Sequence, residues 1–191
     1  NRQAVLNDWE TKTLTHDRDV EFFVDAMDVD ETNQAASAAN ITNTFVSEFA
    51  IPEIDKYRFS KLYQEYADTY EQTPDTTALT QENVLDVFDE MYLHLDEAEV
   101  PSEGRVLYVN PGVYTLLKSA AQVQRQIGVT SASNPIDRRV ILLDNVQVLQ
   151  VPGGRMMSAY DFSDGAVPAA GARQIRMILL HPGAVVSPIK H

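Results

Sequence analysis

The sequence contains no cysteine, which excludes disulfide frameworks, thiolate metal sites and cysteine nucleophiles. It also contains no run of about 18 apolar residues, so it predicts no membrane-spanning helix. Residues 1–20 are polar and lack an apolar core segment, so no signal peptide is predicted. The chain begins with Asn1 rather than Met, and we interpret it as a trimmed or processed part of a longer protein.

Basic residues are scarce and scattered. The chain has 15 Lys and Arg against 28 Asp and Glu, which gives a formal net charge of −13. A specific nucleic-acid binder usually carries a basic patch that neutralises phosphates. An acidic surface repels DNA instead. The composition therefore predicts that this protein, if it encloses nucleic acid, does so without specific nucleic-acid binding.

Motifs for catalysis and metal binding are also missing. The four histidines show no metal-ligand spacing on one element; they are His16, His94, His181 and His191. The acidic run Asp28–Asp30 lacks the glycine and the final glutamate of a calcium loop, so it predicts helix capping. Pro152–Arg155 lacks the Lys-Ser/Thr ending of a phosphate loop and predicts a turn. No G-x-S-x-G elbow is present. We expect no catalytic, cofactor-binding or metal-binding residues, and no enzyme activity.

Three helices are predicted from apolar periodicity and capping residues. Apolar side chains recur every three or four residues over about 31–66, which predicts one long helix, kinked or restarted at Pro52. An amphipathic helix is predicted after an N-cap at Thr80. Asn110 followed by Pro111 predicts the start of a third, shorter helix.

Strands are predicted where apolar and β-branched residues cluster between turn residues. The predicted strands are 3–15, 20–24, 105–109, 139–143, 146–151, 175–180 and one beginning at 185. The first two are expected to form an antiparallel pair. Residues 158–173 are rich in Gly, Ala, Pro and Asp and predict an exposed loop. Helices and strands in this order indicate the α+β class.

Aromatic residues concentrate in the second half of the long predicted helix. They are Tyr57, Phe59, Tyr63, Tyr66 and Tyr70, with Lys56, Arg58 and Lys61 among them. Two interpretations remain open, because a helix with aromatics on several sides is hard to bury in one small core. The aromatics form a partner-binding face, or they pack against the body of the domain.

Several stretches, taken together and in order, resemble the major capsid proteins of tailed bacteriophages and prophages. They are WETKTLTHDR at 9–18, FVDAMDVDETN at 23–33, IPEIDKYRFSKL at 51–62 and LYVNP at 107–111. The VDxMDVDETN stretch is the most specific of these motifs. The resemblance is to the Hong Kong 97 phage type of capsid fold, which encapsulins share. None of the motifs is a catalytic signature.

The resemblance implies an α+β fold with a long spine helix, an extended β segment and a mixed α/β axial domain. Residues 1–72 would be part of the peripheral domain, comprising the return strand of an extended loop and the spine helix. Residues 73–191 would form the axial domain, with a final strand that returns to the peripheral domain.

The resemblance also implies a role as a structural protein of an icosahedral viral head. Such a subunit assembles with copies of itself into pentamers and hexamers that enclose DNA in the virion, after assembly in the host cytoplasm. Scaffolding and portal proteins would be further partners. Neither a cofactor nor a membrane is implied.

Two other functions are considered beside the capsid subunit. One is an encapsulin-like compartment shell around a cargo enzyme, which neighbouring genes would distinguish from a phage head. The other is a small-molecule enzyme of α+β type with no recognisable motif. A single deep pocket with convergent titratable groups would favour that enzyme.

Overall fold

The computed structural model describes residues 11, 13–14, 16–25, 27, 31, 37–121, 123 and 139–187 of the chain. The chain divides into two compact units, Asn1–Phe45 and Val46–His191. The domain division predicted between residues 72 and 73 remains a prediction. The capping prediction for residues 28–30 and most of the predicted strand 3–15 lie outside the described residues.

In the first unit, helix α1 spans Ala38–Phe45. The prediction of a strand at 20–24 is wrong, because these residues form no regular secondary structure. Phe23 is 89% exposed, and the ring of Phe22 lies edge-on to that of Phe45 at 5.2 Å between centroids. A short strand is stabilised by pairing with another strand, and the described residues of this unit include none.

In the second unit, helix α2 spans Ile51–Gln64 and is flanked by two π-helical turns, Val46–Ala50 and Glu65–Thr69. Pro52 lies in the first turn of α2. Proline has no N–H to donate, and the π-helical turn directly before α2 marks an irregularity of the helix at this place. All residues from 38 to 69 are helical, which agrees with the helix predicted for this stretch, whereas the kink or restart predicted at Pro52 stays a prediction because the backbone is helical through Ala50.

Of two further helices, one begins at its predicted cap, Asn110, and the other begins after Asn83, three residues beyond the predicted cap Thr80. Helix α3 spans Val84–Glu97, and helix α4 spans Pro111–Ser119. Before α3, Thr80 N donates to Asn83 Oδ1 at 2.7 Å, and Asn83 N donates to Thr80 Oγ1 at 3.3 Å. At the start of α4, Val113 N donates to Asn110 Oδ1 at 2.8 Å. These bonds satisfy amides that have no acceptor within the helix.

A four-stranded mixed sheet forms the centre of the second unit. The strands among the described residues of this unit are β1 Val106–Val109, β2 Leu142–Leu143, β3 Val146–Gln150, β4 Tyr160–Asp161, β5 Val167–Pro168 and β6 Met177–Leu180. The order in the sheet is β2-β3-β1-β6, with β1 parallel to β3 and antiparallel to β6. Asp144 and Asn145 join β2 to β3 with φ angles of 47° and 67°, as in the two-residue turns typical of hairpins.

One loop prediction and one strand prediction in the C-terminal half are wrong. The segment 158–173 was predicted as a loop, but it contains the antiparallel pair β4–β5. The strand predicted to begin at Val185 is absent, since a 3-10 helix spans Pro182–Ala184 and residues 185–187 form no strand. Val186 is exposed. Apolar composition alone could not show that Val185 and Val186 have no neighbouring strand in the described structure.

Helices cover both faces of the sheet. Leu107 and Val109 belong to a core that includes buried residues of α3 and α4, such as Phe88 and Leu117. Tyr108 points to the opposite face, where the smaller core includes Phe59 of α2, Met156 and Ile175. Helices α3 and α4 therefore cover one face and α2 covers the other, which confirms the α+β class.

Candidate interaction surfaces

The described residues contain no group of three or more His, Asp or Glu side chains suited to a metal ion. His181 has a local role, because its Nδ1 accepts a hydrogen bond from Gly183 N at 3.1 Å and caps the 3-10 turn. His191 lies outside the described residues. No described helix is both long and apolar enough to cross a bilayer. The expectation of no catalytic, cofactor or metal residues stays a prediction.

The glycine-rich turn that superficially resembles a phosphate loop connects α2 to the sheet. Gly153–Arg155 forms one turn of 3-10 helix, and Arg155 Nη1 donates to Asp55 Oδ2 of α2 at 2.8 Å. Lys56 of α2 donates from Nζ to the carbonyl oxygen of Ala166 at 2.7 Å. These polar contacts fix α2 on the segment between β3 and β6.

Some aromatic residues in and after α2 pack against the domain, and others are exposed. Phe59 is buried, and its ring lies edge-on to Tyr108 at 5.3 Å between centroids. Tyr57 makes a similar contact with Phe162 at 5.8 Å. These residues pack against the body of the domain. The exposed aromatics of this stretch are Tyr66 and Tyr70.

The outer face of α2 combines apolar and basic side chains. We define it by four exposed positions of α2 and the first residue of the following π-helical turn, whose spacing of three and four residues places them on one side: Ile51, Ile54, Arg58, Lys61 and Glu65. Ile51 and Ile54 are 47% and 41% exposed. Lys61 Nζ lies 3.8 Å from Glu65 Oε1, and both side chains are about half exposed, so this pair is weak.

The outer face of α3 is acidic. We define it by Asp86, Asp89, Glu90, Leu93 and Glu97, which are exposed and also recur at helical spacing. Leu93, at its centre, is 56% exposed. The pKa of Asp89 is raised, first by partial burial and then by the negative charges of Asp144 and Asp86. Negative charge is therefore concentrated where α3 lies near the β2–β3 turn.

Comparison of the chain with protein-family models, curated proteins and solved structures finds no match. The function is therefore inferred from the sequence motifs and from the geometry of the described residues.

Replacing Asp89 by Asn should stabilise the chain by roughly 0.2–0.5 kcal/mol at pH 7, the range for exposed like-charge neighbours. Since folding raises the pKa of Asp89, the folded state favours the protonated carboxyl. The ionised carboxylate of Asp89 therefore destabilises the folded state. This cost is absent at a pH below the ordinary pKa of the carboxyl group and complete at a pH above its raised pKa in the folded state. Urea unfolding at pH 7 and pH 3 should show the gain only at pH 7. An equal gain at both values would exclude the ionised carboxylate as its cause.

A buried arginine joins the end of α3 to the start of β1. Arg105 is 1% exposed, and its Nε and Nη2 donate to the carbonyl oxygens of Pro101 and Val100. Nη2 also lies 2.7 Å from Asp96 Oδ1, and the guanidinium carbon lies 4.5 Å from the centre of the Tyr92 ring. Through these contacts, Arg105 holds the end of α3 against the loop that leads into β1.

The sequence alone does not show that Arg105 is buried, and it shows the acidic side of α3 only in part. Arg105 stands at the start of a predicted strand, where a charged residue is normally exposed. The acidic pattern of α3 is visible as charges at Asp86 and Glu90, one helical turn apart. The amphipathic pattern of α3 predicts that this side faces away from the core, whereas only the structure shows which face of the sheet α3 covers.

Proposed function

We propose that the chain is a structural subunit of the icosahedral head of a tailed bacteriophage or prophage. In this role it assembles with copies of itself into pentamers and hexamers that enclose DNA. The ordered capsid-like motifs, above all VDxMDVDETN at 24–33, are the observation that carries the proposal.

The exposed apolar side chains support a self-assembling subunit. Large apolar residues are exposed outside both cores; they include Phe23, Met27, Ile51, Ile54, Leu93, Leu142 and Val186. Single exposed apolar residues are ordinary. Here, however, Ile51 and Ile54 share one side of α2, and grouped apolar residues rimmed by polar ones are typical of protein interfaces.

The charge of the chain is compatible with a container for DNA. A net charge of −13 disfavours tight contact with phosphates, so packaged DNA would be confined without being bound to the wall. A shell subunit also needs no convergent catalytic groups, only surfaces that repeat the same contacts in a symmetric assembly.

The full-length gene product that contains this chain should form closed particles or capsomer rings. Electron microscopy and light scattering across a range of salt concentrations measure this directly. Monomers under every condition would overturn the proposal. Particles that retain a protein cargo and no DNA when purified from their native host would instead indicate a compartment shell.

A further inference from the structure

The outer faces of α2 and α3 lie on opposite sides of the second unit. Buried residues of α3, such as Val84 and Phe88, share one core with Leu107 and Val109 of β1. Phe59 of α2 belongs to the core on the other side of the sheet. Side chains that point away from the sheet on these two helices therefore face in opposite directions.

The two outer faces are complementary in charge. The outer face of α3 carries four carboxylates and no Lys or Arg. The outer face of α2 carries Arg58 and Lys61 with a single carboxylate, Glu65. Arg58 Nε donates to the hydroxyl of Ser187 at 2.9 Å, a neutral partner that adds no negative charge to this face.

Each outer face also carries exposed apolar side chains among its charges. Leu93 lies at the centre of the acidic face, and Ile51 and Ile54 lie beside the basic residues. Interfaces between proteins commonly have an apolar centre depleted of charge and a polar rim. These three side chains could form such a centre if the two faces met.

We infer that the outer face of α3 in one copy of this chain docks on the outer face of α2 in a second copy. Copies that each carry a charge of −13 repel one another unless a local contact joins opposite charges. The acidic and basic faces provide that contact, and burial of Leu93 against Ile51 and Ile54 adds apolar area. The inference rests on the proposed function and assigns it an interface.

The position of the two faces determines the kind of assembly. Because one copy presents them on opposite sides of the sheet, it can contact one neighbour through α3 and another through α2. Such a head-to-tail contact is heterologous and generates rings when the rotation between copies closes. Pentamers and hexamers are rings of this kind.

Charge reversal tests the interface in the full-length gene product. Arg58→Glu with Lys61→Glu makes both faces acidic, and Asp86→Lys with Glu90→Lys neutralises the acidic face. Each pair should weaken association by roughly tenfold or more, measured by sedimentation velocity at low salt. Combining all four reversals sets two new lysines of α3 against two new glutamates of α2 and should recover part of the affinity that the α2 variant loses, which a misfolded or merely destabilised variant would not do.

Arg173→Glu with Arg176→Glu is the matched control, because both residues are exposed near β6 and the change in net charge equals that of the α2 variant. Association of this control should follow the unaltered protein to within roughly threefold. If the α2 variant and the α3 variant each formed particles as well as the unaltered protein, this interface would be overturned and the proposed function would stand. Failure of the unaltered protein to assemble would count against the proposed function itself.

Discussion

Replacing Arg105 by alanine should lower the free energy of unfolding by about 3–5 kcal/mol. The guanidinium is fully buried and donates to the carbonyl oxygens of Val100 and Pro101. Alanine leaves both carbonyls without these donors and opens a cavity against Tyr92. The loop between α3 and β1 would then lose the contacts that hold its conformation. Urea unfolding followed by circular dichroism measures the change.

Two further variants separate the parts of this effect. Asp96→Asn should lower the free energy of unfolding by less than about 1 kcal/mol, because Asp96 is half exposed and an amide oxygen still accepts from Arg105. Arg105→Lys retains the charge but cannot donate to three acceptors with the same planar geometry, so it should be intermediate. A near-neutral Arg105→Ala would show that the guanidinium does not stabilise the loop.

Elements specified by neighbouring residues could be predicted from the sequence. Asn110 and Pro111 fix the start of α4 through one capping bond and a preset φ angle, so the sequence predicts α4 correctly. The Asp144–Asn145 turn likewise specifies the β2–β3 hairpin. In each case the decisive interaction joins residues within a few positions of one another.

Elements that depend on distant partners could not be predicted in this way. The apolar residues of 20–24 and Val185 are suited to strands, but composition does not show whether a partner strand lies beside them. In contrast, β4 and β5 form in a stretch of loop-like composition. Tyr160 Oη donates to the carbonyl oxygen of Gly154 at 2.7 Å and helps to hold this pair in place.

The candidate interface also depends partly on local sequence patterns and partly on contacts between distant residues. Charges at Asp86 and Glu90 are readable along the chain, as are those at Arg58 and Lys61. Their placement on opposite sides of the unit follows from the sheet order β2-β3-β1-β6, in which β1 pairs with a strand about 40 residues later and another about 70 residues later. Local patterns do not determine such pairings.

Replacing Phe88 by alanine should lower the free energy of unfolding by about 3–5 kcal/mol, the second large effect expected in this chain. Phe88 is buried in the core between α3 and the sheet, and its ring lies 6.0 Å from that of Tyr92. Truncation removes a large apolar surface and leaves a cavity that fixed backbone elements on both sides cannot fill completely. Urea unfolding at a protein concentration too low for association measures this effect separately from assembly.

Leu93→Ala on the same helix is the matched control for Phe88→Ala. Leu93 lies on the outer face of α3 and is more than half exposed, so its truncation should change the free energy of unfolding by less than about 0.5 kcal/mol. It should nevertheless weaken association, because the inferred interface places it against Ile51 and Ile54 of a neighbour. Phe88→Ala acts through folding and Leu93→Ala through assembly. If Leu93→Ala altered neither property, the outer face of α3 would contribute no apolar contact to the shell.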